Sequence, residues 1–173
     1  MPAVIESLLF ELRRTKKLGD RAFAQLEDAD WNWRPDAEAN SIAIIVQHLH
    51  GNMLSRWTDF LTTDGEKPTR DRDGEFEPQE LAPKDLLARW EEGWRICLGA
   101  IEPLGDGDLE RTVTIRGEPL SVLDAILRQV SHYAYHVGQI AWIARSRRGA
   151  AWKSMSIPKG RSREHVRGNY RRG

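Results

Sequence analysis

The stretch SVLDAILRQVSHYAYHVGQIAWIARSRR, from Ser121 to Arg148, decides the fold. It contains no glycine or proline before Gly138, and its apolar residues return at three- and four-residue spacings, the signature of a long amphipathic helix. Within it His132 and His136 form H-x-x-x-H. At 3.6 residues per turn two such side chains lie about 40° apart on one face and roughly 6 Å apart along the axis. Ala125, Gln129, Ile140 and Ile143 fall on the same face, so the histidines point inward, where two imidazoles at this spacing can reach one divalent ion.

Three further stretches have helical periodicity. The first spans about Pro2 to Asp28, with Ile5, Leu8, Leu9, Leu12, Ala22, Phe23 and Leu26 on one side, and it stops before Trp31-Asn32-Trp33-Arg34-Pro35. The second spans about Ile42 to Thr62, with Ser41 as N-cap. The third spans about Lys84 to Glu102. Alternation at Val113 and Ile115 before Gly117-Glu118 predicts a short hairpin between Arg111 and Leu120. Four long helices with almost no strand predict an all-α four-helix bundle. The polar segment Thr63 to Pro83 forms a long loop between helices two and three, a length usually kept for function.

The 173 residues fit one domain, with the bundle in 1–148 and a basic, largely irregular tail of the same domain in 149–173. Lys plus Arg and Asp plus Glu each number 26, and the zero net charge hides a split. Residues 1–144 are strongly acidic, whereas 145–173 carry ten basic residues against the single Glu164. Such a tail can fold on its own body, with Arg161 and Arg163 available to acidic groups, or meet a second subunit or an external polyanion. No nucleic-acid module accompanies it, so nucleic acid is not the expected partner. The lone Cys97 excludes an internal disulfide, no signal peptide is visible, and no apolar run reaches the roughly 20 residues of a membrane helix. The expected location is the cytoplasm, without a membrane.

His48 and His50, in the second helix, can supply a third nitrogen to the pair in the fourth. The helical wheel of the second helix centres its apolar side near Leu49 and Met53, closer to His50 than to His48. Three neutral imidazoles leave an ion its full charge and an open coordination position, as catalytic sites do, and zinc, nickel and iron(II) all accept imidazole. Asp59, Asp64 and Glu75 are candidate bases only by their closeness to helix two. The segment Thr69 to Glu80 approaches a calcium-binding EF-hand loop, with Asp71, Asp73, Gly74 and Glu80 in register, yet Thr69 stands where Asp is needed and Pro68 blocks an entering helix. Cys97 reads as a small apolar core residue, and Trp57, Trp90 and Trp94 as core. Trp142 and Trp152 are placed to cover a subunit contact, and His165 reads as a solvated tail residue.

The segment Ser131-His132-Tyr133-Ala134-Tyr135-His136-Val137-Gly138-Gln139-Ile140 resembles the last-helix motif of the DinB-like (YfiT-like) metal-binding four-helix superfamily. Gly117-Glu118-Pro119-Leu120-Ser121-Val122 is similar to that family's approach to the helix, and His48-Leu49 to its first ligand position. Gln47 to Met53, Thr63 to Pro68 and Ser156 to Gly160 resemble an uncharacterised branch of it. The resemblance covers nearly the whole chain. It implies a bundle, a homodimer and a metal held by His48, His132 and His136; the motif thus favours His48 where the wheel favours His50. It also implies a metal-dependent enzyme using a low-molecular-weight thiol on a small electrophilic substrate, or a hydrolase, because some relatives are thiol-dependent transferases or isomerases. The alternatives are a non-catalytic dimeric binding or assembly protein, and an anion or nucleic-acid binder acting through the tail.

Overall fold

A computed structural model describes residues 3–164. Four helices, α1 (Val4–Phe23), α2 (Ile42–Trp57), α3 (Pro83–Ile101) and α4 (Val122–Arg148), make an all-α bundle. Its only sheet among the described residues is a hairpin of β1 (Thr112–Ile115) and β2 (Glu118–Ser121). The order around the bundle is α1–α4–α2–α3, with α2 on α3 and α1 on α4 the most extensive contacts. Helices consecutive in sequence therefore face each other diagonally in two cases, α1 with α2 and α3 with α4. The chain crosses the bundle end on residues 24–41 and again on 102–121, which is not an up-down-up-down order.

Local chemistry sets the helix ends. The first helix stops at Phe23 rather than Asp28, because residues 27–30 close a tighter turn in which the Glu27 amide donates to Asp30 Oδ2 (3.0 Å). That turn delivers Trp31 into the core, stacked on Phe23 at 4.9 Å. The second helix stops at Trp57 rather than Thr62. Thr58 is extended and Asp59 left-handed (φ 49°), and the reversal buries Phe60 against Trp57. Ser41 and Ser121 cap α2 and α4 through their hydroxyls, which accept from the amides of Ile44 (3.1 Å) and Asp124 (3.0 Å). Helix α1 has no side-chain cap of its own. Its first amides, Val4 and Ile5, donate instead to the carboxylate of Asp106, 3.0 and 2.9 Å away, in the segment before the hairpin.

The core runs through the aromatic series Phe23, Trp90, Trp94 and Tyr133, in edge contact from α1 through α3 to α4. Burying each large ring contributes on the order of 2–3 kcal/mol. A polar pin crosses from α2 to α4: Trp57 Nε1 donates to the Tyr133 hydroxyl (2.8 Å), which donates to Asn52 Oδ1 (3.1 Å). Cys97 is fully buried, and burial pushes its thiol well above its ordinary pKa, so it acts as packing.

Past α4 the chain forms only short turns among the described residues, at Gly149–Ala151 and Ser162–Glu164. Arg147 and Arg148 reach the body and meet Asp30 and Glu27, while the Lys153 amide donates to Gln25 Oε1 (2.7 Å). Trp152 packs against the core, whereas Trp142 stands exposed. His165 lies outside the described residues. No helix is long and apolar enough to cross a membrane among the residues described.

Candidate metal centre

His48, His132 and His136 converge in the seam between α2 and α4, each offering a ring nitrogen within 4.8 Å of the other two. His132 Nε2 lies 3.1 Å from His48 Nε2 and 3.2 Å from His136 Nε2. His50 lies elsewhere, half-buried, with its Nε2 2.8 Å from Glu92 on α3. The wheel pointed to His50 because it assumes one buried face. Helix α2 is instead enclosed nearly all round, by α3, by α4 and by the loop after it, and His48 is only 4% exposed.

The outer nitrogens show what the cluster is built for. His48 Nδ1 is 2.9 Å from Glu75 Oε2, and His136 Nδ1 is 2.9 Å from Gln139 Oε1. Both partners are acceptors, so both Nδ1 atoms carry the hydrogen and both Nε2 atoms present lone pairs to His132. Burial raises the Glu75 carboxyl, but hydrogen bonds from Arg70 and His48 outweigh it and leave the pKa below the ordinary value. Burial, then the neighbouring His136, His48, Arg70 and Arg56, pushes His132 down to about 3. His136 falls to about 4, from burial and then His48, with Gln139 opposing. His132 and His136 are accordingly neutral at neutral pH, and His132 Nε2 has at most one hydrogen for two close nitrogens.

That arrangement fits a cation better than it fits hydrogen bonding. Imidazole nitrogens on a tetrahedral zinc, at bond lengths of roughly 2.0–2.1 Å, stand about 3.3 Å apart, close to the two separations observed. Outer acceptors that fix the tautomer are the usual support of metal-bound histidine. Two rings have them; His132 Nδ1 is buried without a partner among the described residues.

The loop of residues 63–83 supplies most of this support. Arg70 clamps Glu75 with two 2.7 Å bonds and also reaches Glu66 (3.2 Å). Phe76 stacks on the His48 ring at 4.6 Å, with the Arg72 guanidinium 5.7 Å from the Phe76 centroid. The loop is in turn fixed to the hairpin. The hairpin turn Arg116-Gly117, left-handed at both residues, donates its two amides to Asp64 at 2.8 and 2.7 Å, and the Gly65 amide donates to Thr114 O at 2.8 Å. Of the candidate bases, then, Glu75 orients His48, Asp64 ties loop to hairpin, and Asp59 lines a separate groove of about 730 Å³ with His50. In the EF-hand-like segment Asp71 accepts from the Gly74 amide (3.0 Å) while Glu75 turns inward to His48. Gln139 stands within the last-helix motif, but nothing in the sequence places Arg70, Glu66 or Phe76 at the histidines. Their signal was the charge density of a long loop, which has no periodicity to locate its partners.

The histidines open on a cavity of about 390 Å³. Fold and cluster together define an α-bundle with an inward-facing three-histidine centre able to hold a metal ion. Residues 3–161 match the family described as "Protein of unknown function (DUF1572)", and the chain belongs to that family. No curated protein matches the sequence.

Proposed function

We propose that the protein is a metal-dependent enzyme of the DinB-like (YfiT-like) type, with one zinc, nickel or iron(II) ion held by His48, His132 and His136. The observation that carries this reading is the meeting of three imidazole nitrogens in one place, with the outer nitrogens of His48 and His136 held by the acceptors Glu75 and Gln139. When bound, such an ion lowers the pKa of a thiol or water that joins it. The chain's own residues orient and enclose. Arg70 holds Glu75 on His48, and Phe76 covers the His48 ring.

Thiol transfer is favoured over hydrolysis by what the cavity lacks. Among the described residues its wall contains no carboxylate, and Glu75 behind it is engaged by Arg70 and His48. A thiol ionises near neutrality without a dedicated base, whereas water starts far higher. The reaction proposed is attack by a low-molecular-weight thiol on a small electrophile, in the cytoplasm, by a homodimer. Tyr135 and Trp142, 63% and 61% exposed on α4, are the apolar surface for the second copy.

The test is elemental analysis of tag-free protein beside His132→Ala, followed by thiol consumption with glutathione and chlorodinitrobenzene before and after chelation. About one ion per chain, absent in the variant, and activity that returns with readded metal support the proposal. Parent protein that takes up none of zinc, nickel or iron(II) removes it, and a stable fold unchanged by chelation or by His132→Ala then favours a non-catalytic binding protein.

A further inference from the structure

The wall of the cavity beside the histidines contains five arginines, Arg56, Arg70, Arg72, Arg116 and Arg128. Among the described residues two carboxylates reach this group: Glu66 is shared by Arg56 (3.6 Å), Arg70 (3.2 Å) and Arg116 (3.2 Å), and Glu75 is taken by Arg70 and His48. Arg72 and Arg128 have no carboxylate partner among those residues, and Arg72 rests over Phe76. The five guanidiniums therefore outnumber the carboxylates paired with them by three, before any metal is counted.

Arg56 is the most informative member. Its side chain is 4% exposed, and its Nε and Nη1 have no hydrogen-bond partner among the described residues. A buried guanidinium is ordinarily paired, because leaving its donors unmet forfeits the hydration it gave up. Loop anchoring explains Arg70 and Arg116, which hold Glu75 and Glu66. It explains neither a buried Arg56 whose one carboxylate partner, Glu66, stands 3.6 Å from Nη2, nor the presence of Arg128 across the same space.

We infer that this wall is an oxyanion subsite: the substrate carries a carboxylate or phosphate group that Arg56 and Arg128 receive. This rests on the proposed metal centre only for the position of the substrate's reacting end, which lies toward the histidines. Guanidinium forks suit both oxyanions through paired N–H donors. A cavity of about 390 Å³ admits a small organic anion. The site is distinct from the basic tail, since all five arginines precede residue 145.

The test is calorimetric titration of the full chain, metal-free and zinc-loaded, with succinate and with methyl phosphate. Parent, Arg128→Gln and Arg111→Gln are compared; Arg111 is exposed and pairs with Asp108 away from the cavity. Either anion is expected to bind the parent in the millimolar range or tighter, weakened roughly tenfold by Arg128→Gln and unchanged by Arg111→Gln. Preference between the probes identifies carboxylate or phosphate. Arg56→Gln, with its fold checked by circular dichroism, is expected to weaken binding at least as much. Failure of both anions to bind, or binding that Arg128→Gln leaves intact, overturns the inference. The metal reading has its own readout in the ion count. A protein with one zinc and no oxyanion binding loses the subsite alone, whereas Arg128-dependent binding without metal uptake keeps the subsite and loses the metal centre.

Discussion

Replacing Gly51 by alanine sets two opposing effects against each other, and the structure decides the sign. Gly51 lies in the interior of α2, where alanine is favoured over glycine by about 1 kcal/mol. A Cβ there would stand 2.2 Å from Glu75 Oε1, 2.7 Å from its Cδ and 3.0 Å from its Cγ. Because three successive atoms obstruct it, turning the carboxylate does not relieve the clash, and the whole Glu75 side chain must withdraw. It is not free to do so cheaply, being held by two bonds from Arg70 and one from His48. Arg70, with a side chain 4% exposed, would keep only Glu66. Breaking a buried charged pair costs about 3–5 kcal/mol, and partial relaxation brings the loss nearer 2–4. The net expectation is destabilisation by about 1–3 kcal/mol, measured by urea unfolding. Metal affinity should fall about 10- to 100-fold through the disturbed His48. Gly99 supplies the comparison. It is exposed in α3 with nothing within 4 Å of the place an alanine methyl would take, so Gly99→Ala should stabilise by about 0.5–1 kcal/mol. If Gly51→Ala gains stability as Gly99→Ala does, the proposed clamp of Glu75 against α2 is wrong.

Two further perturbations follow from the caps and the loop. Amides of Glu66 and Gly117 above all, opposed by slight burial and joined by Arg116 and Thr114, hold the Asp64 carboxyl at about 2. Since its folded pKa is depressed, its stabilisation is complete above the ordinary value and lost as pH falls from about 4 toward 2. Its solvent exposure limits this to about 1 kcal/mol, and Asp64→Asn should flatten that part of the stability–pH curve; an unchanged curve refutes the assignment. Asp106→Ala removes the side-chain acceptors at the start of α1 and should cost about 1–2 kcal/mol, with faster amide exchange at Val4 and Ile5. Unaltered exchange there would show that the cap is dispensable.

Periodicity made the four helices legible, because their apolar spacing and the Ser41 and Ser121 caps are local signals that the packed structure respects. Helix ends were less legible. Phe23 and Trp57 are last residues because turns beyond them bury Trp31 and Phe60, and that burial is tertiary. In the candidate site, the inward face of His132 and His136 followed from α4 alone. The choice between His48 and His50 did not, because it depends on Phe76 and Glu75, which a wheel of α2 does not contain. The arginine wall was hidden for the same reason: Arg56, Arg70, Arg72, Arg116 and Arg128 come from two helices, a loop and a hairpin turn.

The diagonal helix order explains why a polar centre does not weaken the bundle. The most extensive contacts join α2 to α3 and α1 to α4, so the apolar core is carried chiefly by those two pairs. The α2–α4 seam is the slighter contact, pinned by Trp57, Tyr133 and Asn52. Three histidines and a buried arginine would disrupt either strong pair, where each polar atom would replace close apolar packing. In the seam they face a cavity, and the loop that covers them brings its own counter-charges in Glu66 and Glu75. Helices α2 and α3 run in the same direction, so the loop between them must return along α2, with Gly65 beside Ser55, Glu75 beside Gly51 and Glu77 beside Gln47. Its residues are spent on Arg70, Glu75 and Phe76, which turn a gap between helices into an oriented site.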